Sequence, residues 1–146
     1  MFKSQSEFIK IIQQDDKILS ALDGLSQIAP HLDTYVQEFL IEYLNFKKTK
    51  QPYEKVHLLL ETADTFELVQ IHSRVAPKNK TSFRTSNYSL KGDWTVIAQV
   101  VIDHCFNVTS VILLSRDIVE SNHTGKPWTI GKCLQLGRVI YPEVDN

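Results

Sequence analysis

Apolar side chains in the first third of the chain recur at intervals of three and four, the period of one helix face. Leu32, Val36, Phe39, Leu40, Tyr43 and Leu44 make the clearest such stripe, after Pro30 and before the polar run Asn45 to Gln51. Pro52 discourages continuation. Upstream, Ser4-Gln-Ser-Glu7 fits a capping box opening a helix with Phe8, Ile9, Ile11 and Ile12. Asp15 or Asp16 is placed to cap a second, short helix carrying Ile18, Leu19 and Leu22, which Gly24 ends.

From about residue 54 the period changes to two, or to solid apolar runs. Lys55 to Thr62 and Phe66 to Val75 read as strands joined at Ala63-Asp64, with a helix as the competing reading because Leu and Glu are frequent. A polar loop around Pro77-Lys-Asn-Lys80 leads to a weaker strand, Thr81 to Lys91, and a dense one, Trp94 to Cys105. Gly92-Asp93 between them suits a two-residue hairpin turn. Phe106-Asn-Val-Thr109 turns the chain into Val111 to Val119. Glu120 to Pro127 is a loop, and Trp128 to Tyr141 is the last strand, bent at Gly131 and Gly137.

The order predicts a single α+β domain over residues 1–146, helical in 1–50 and an antiparallel meander in 54–141. The N-terminal helices pack on one face of a curved antiparallel sheet of five to six strands. In architecture this resembles cystatin-like and NTF2-like domains, an analogy that does not fix function. Both faces of the Thr81–Val119 region carry large aliphatic side chains, and the helices can cover only one. Apolar area left bare on the other exceeds what soluble monomers expose. Either the sheet encloses it as a pocket, or a two-fold partner covers it. The dimer is preferred, with Ile97, Val101, Ile112 and Leu114 at the contact.

Composition narrows the function classes. At 42% hydrophobic and 23% charged, the 146 residues suit a soluble globular chain. A formal net charge of -1 argues against general nucleic-acid binding, which usually shows a basic excess. The two cysteines, Cys105 and Cys133, make no disulfide framework, and no metal-ligand spacing, phosphate-binding glycine loop or catalytic signature occurs. No cofactor or metal is expected. Apolar stretches are too short to cross a membrane and the N-terminus lacks a signal-peptide pattern, so the expectation is cytoplasmic.

Sorting the strands by face gives the candidate chemistry. Pairing Lys91 with Trp94 and Cys105 with Ser110 gathers Arg84, Ser86, Tyr88, Gln99, Asp103 and Arg116 among Ile97, Val101, Ile112 and Leu114. An apolar face with a few convergent polar groups is how small-molecule sites are built. Arg84, Tyr88, Gln99, Asp103 and Arg116 are therefore the candidate ligand-binding residues, the arginines suiting a carboxylate or phosphate. The plainer alternative is an Arg84–Asp103 cross-strand ion pair, with Arg116 reaching solvent. The opposite face, with Phe83, Trp94, Val96, Ala98, Val100, Ile102, Val111 and Leu113, is the better helix-packing surface.

A two-residue turn at Ala63-Asp64 puts His57 opposite Gln70 and diagonal to His72, with Glu61 and Arg74 on the same face. Imidazoles there suit proton transfer or a metal, but the plainer reading is the solvated face of an edge hairpin. Its other face, Val56, Leu58, Leu60, Val69 and Ile71, is then buried. In a strand His104 points away from Asp103 and Cys105, so these three form no catalytic dyad. Two basic clusters, Lys47-Lys48-Lys50-Lys55 and Lys78-Lys80-Arg84, read as solvated loops rather than an RNA contact. No catalytic residue is assigned. The sequence thus points to a non-catalytic binding or interaction protein. It would hold a small acidic or aromatic ligand, or cap a partner protein as immunity proteins do. The alternative is a small cofactor-free enzyme using Asp103 or a histidine as acid or base.

Overall fold

In the computed structural model residues 29–143 are described; the helices expected before Gly24 lie outside them. The first described element, α1 (Ala29–Leu44), carries the predicted stripe. Pro30 sits in its first turn, where the missing N–H costs nothing. Leu32, Val36 and Leu40 are buried, as is Tyr35 between them, whereas Tyr43 is 60% exposed. Asn45 adopts the left-handed conformation (φ 61) that ends the helix. The Phe46 N–H then donates to Leu40 O at 3.1 Å, and its ring is buried.

Six strands follow: β1 (Lys47–Lys48), β2 (Leu58–Glu61), β3 (Phe66–Val75), β4 (Val96–Ile102), β5 (Val108–Ser115) and β6 (Arg138–Tyr141). Between β5 and β6 stand two short helices, α2 (Arg116–Ser121) and α3 (Ile130–Leu136). The strands form one open sheet in the order β1-β2-β3-β4-β5-β6. It is an α+β architecture, but the sheet is mixed: β3 and β4 run parallel, Val69 opposite Val96 through Val75 opposite Ile102. All other neighbours are antiparallel. Among the described residues no helix is long and apolar enough to cross a membrane.

The parallel pair corrects the expected meander. A parallel neighbour needs a long crossover, and residues 76–95 supply it, passing over the sheet instead of adding a strand at Thr81–Lys91. Only Arg84 makes a bridge there, to Thr129. Gly92-Asp93 is not a hairpin turn. The Glu54 N–H donates to Asp93 Oδ2 at 2.8 Å and the Asp93 N–H to Glu54 O at 2.9 Å, fastening the end of the crossover to the β1–β2 connection. Gly92 has φ 98, and a Cβ there would lie 2.7 Å from Lys55 Cβ.

The last expected strand is also corrected. Thr129 accepts from the Lys132 N–H through its side chain and caps α3, and Gly137 follows that helix. Only Arg138–Tyr141 is strand. In the same way Ser115 accepts from the Ile118 N–H, so the run expected to continue to Val119 becomes α2.

Both sheet faces are covered by the chain itself. On one, α1 packs on Val96, Ala98, Val100, Ile102 and Val111, the face expected to take a helix. On the other, Ile97, Val101, Ile112 and Leu114 lie under Tyr88 and Trp94 of the crossover, Val119 of α2, and Trp128, Ile130 and Cys133 at α3. Phe83 and Trp94 thus belong to this second face, not the first. The four aliphatics assigned to a dimer contact are buried inside the chain. The bare face on which that contact was argued does not exist among the described residues.

Candidate functional site

The five expected ligand residues fall in four separate places. Asp103 forms the β4–β5 turn, its Oδ1 accepting from the N–H groups of Cys105 and Asn107, both at 2.9 Å. A carboxylate so used is a turn-former, not a free acid or base. Near the opposite end of β4, Arg116 opens α2. It donates to Gly92 O at 2.8 Å, to Trp94 O at 2.9 Å and to Leu90 O, and lies 4.7 Å above the Trp94 ring. Its Nε pairs with Glu120 at 3.0 Å. Arg116 is a clasp on the crossover. The Arg84–Asp103 ion pair does not occur among the described residues.

Tyr88 and Gln99 do meet, at the centre of the second core. The Tyr88 hydroxyl donates to Gln99 Oε1 at 2.6 Å and lies 3.3 Å from Cys133 Sγ, with all three side chains buried. Thr85 Oγ1 donates to Trp128 O at 3.2 Å beside them. Burial pushes both the Tyr88 phenol and the Cys133 thiol up, so each stays neutral near pH 7. This cluster offers no ionisable nucleophile or base. It satisfies polar atoms that the crossover brings into the core.

The expected β2–β3 register is present: Leu58 faces Val69, and the Thr62 N–H bonds Thr65 O across the two-residue turn. The hairpin is not an edge, however, because β1 and β4 flank it. His57 Nδ1 accepts from the Ile71 N–H at 2.8 Å. His72 Nε2 lies 2.7 Å from Gln70 Oε1, and the His72 ring meets Tyr88 edge-on at 5.1 Å. The Gln70 amide N–H already donates to Lys55 O, so its oxygen is the acceptor and His72 Nε2 carries the proton. Burial first, then the neighbouring His57, pushes the His72 pKa down to about 4. Among the described residues no three His, Cys, Asp or Glu side chains converge to hold a metal.

The one expected residue at an open surface site is Arg84. It lines a cleft of about 390 Å³ with Thr124, Lys126, Pro127, Trp128, Thr129 and Lys132. Trp128 is in the lining but buried, with Tyr88 edge-on at 5.3 Å and the Lys132 ammonium 4.3 Å from its ring. Lys132 Nζ donates to Asn122 O at 3.1 Å and Arg84 Nη1 to Pro127 O at 3.3 Å, so backbone carbonyls position two of the three cations. Lys126 is exposed. No Asp or Glu lines the cleft, and among the described residues none of the three cations is in an ion pair.

Sequence reasoning placed Arg84 on a sheet face rather than at this cleft, and did not single out Lys126, Trp128, Thr129 or Lys132. The signal was present: Thr129 before Ile130, with Gly137 eight positions on, is a cap-to-cap helix signature. Reading Trp128–Tyr141 as one strand pointed Trp128 and Lys132 along a sheet instead of around a helix start. No protein-family model matches this chain, and no curated protein matches it either.

Proposed function

We propose that this chain is a non-catalytic binding domain whose Arg84–Lys126–Lys132 cleft holds a small acidic ligand. The observation carrying the reading is three cationic side chains around one concavity with no carboxylate in its lining. Three like charges so placed repel one another and raise the local potential, so an entering anion relieves repulsion as well as gaining contacts. Arg84 and Lys132 each spend one donor on a backbone carbonyl and keep the rest for a ligand. The volume lies at the small end of the range for small-molecule sites. The enzyme alternative is less supported: Asp103 Oδ1 accepts two backbone N–H groups of its own turn, and the half-buried His72 is held to Gln70.

A thermal-shift screen of small organic acids and phosphates against neutral and cationic controls tests the reading. An anion at ten times its Kd is expected to raise the melting temperature by about 3 °C or more. Lys126→Ala is expected to remove most of that rise without lowering the unliganded melting temperature. Stabilisation by neutral compounds alone, or an anion effect that Lys126→Ala leaves intact, rejects it.

A further inference from the structure

Resting on that anion-site reading, we infer that the acidic group bound in the cleft is a phosphate monoester in its dianionic form. The cations reach the cleft from three different chain positions. Arg84 comes from the crossover, where it bridges to Thr129, Lys126 from the loop after α2, and Lys132 from the first turn of α3. They are independent donors, not one fork. A carboxylate is planar, offers two oxygens and one charge, and is matched by a single guanidinium. It leaves two of these three cations uncompensated. A phosphate monoester brings three terminal oxygens in a tetrahedral array and a charge of about -1.5 to -2 at neutral pH. One oxygen can face each cation, and up to two of the three positive charges are compensated, against one for a carboxylate.

The hydroxyls agree with this assignment. Thr129 Oγ1 accepts from the Lys132 N–H at 3.2 Å, so its own proton remains available to donate to a further anionic oxygen. The Lys126 N–H and Thr124 Oγ1 lie 3.3 Å apart, holding the loop that carries Lys126 in a tight turn. The exposed Pro127 ring gives the lining an apolar side for the organic part of the ester. At about 390 Å³ the cleft takes one compact molecule and not an extended chain of phosphates.

Isothermal titration at pH 7.5 and fixed ionic strength, with phenyl phosphate, phenyl sulfate and benzoate, separates the possibilities. The aromatic part is constant. Phenyl sulfate keeps the tetrahedral oxygens but carries one charge, and benzoate has neither the shape nor the second charge. Phenyl phosphate is expected to bind at least tenfold more tightly than either, and Lys126→Ala to weaken it at least tenfold. An advantage below tenfold over benzoate or phenyl sulfate overturns the dianion assignment while leaving an anion site. Binding of none of the three, or binding that Lys126→Ala does not weaken, overturns the site itself.

Discussion

His72 shows how much the covering of the second sheet face changes a single residue. Read from the sequence, it stood on a solvated hairpin face, where a histidine titrates near its ordinary value. Its position diagonal to His57 was legible, because Ala63-Asp64 fixes the register. The crossover that places Tyr88 against it was not, and burial of the ring is the main cause of its lowered pKa. A folded-state pKa of about 4 against 6.5 for the unfolded chain has a definite sign. As pH falls below 6.5 the unfolded chain takes up the proton first, so stability declines until about pH 4 and this contribution is flat below that. Urea denaturation at pH 7 and pH 4.5 is expected to show roughly 2–3 kcal/mol lost through this group. In His72→Gln the fall over the same interval is expected to be smaller by that amount. Equal falls in the two proteins contradict the assignment.

Among the elements, the strand faces were more legible than the connections. The β4–β5 pairing is offset by four from the expected register, with Gln99 opposite Ile112 rather than Arg116. An even offset preserves parity, so Ile97, Gln99, Val101, Ile112 and Leu114 still share a face. The crossover escaped because its local signals are those of a hairpin: alternation in Thr81–Lys91, then Gly before Asp. Long-range partners decided otherwise. Glu54 takes the Gly92-Asp93 end and Arg116 clasps the carbonyls of Leu90, Gly92 and Trp94. Arg116→Ala is therefore expected to destabilise the fold by about 2–3 kcal/mol, through lost charge-assisted hydrogen bonds and the stack on Trp94. Its exposed pair with Glu120 adds little. Arg116→Lys is expected to recover less than half, since one ammonium cannot span three carbonyls as a guanidinium does. Chemical denaturation measures both; a loss below 1 kcal/mol for Arg116→Ala contradicts the clasp.

At the scale of the whole molecule, the apolar character of both sheet faces was correctly visible, but its explanation was not. The helices before residue 50 were counted as the only cover, which left an enclosed pocket or, preferred, a second subunit as the remedy. Two short helices hidden in apparent strands, together with the crossover, cover that face within the chain. The same misreading concealed the cleft, since the α3 start that carries Thr129 and Lys132 is part of the cover. Net charge was equally uninformative: -1 over 146 residues says nothing of three cations gathered without a counter-charge. The central claim is where an anion binds. An ¹⁵N-resolved NMR titration with phenyl phosphate locates it directly. The expected result is saturable shifts at Arg84, Thr124, Lys126, Thr129 and Lys132 and at the Trp128 indole N–H, with the Asp103 turn and the β2–β3 hairpin unmoved. Saturable shifts centred on either of those two regions, or shifts that never saturate, contradict the account.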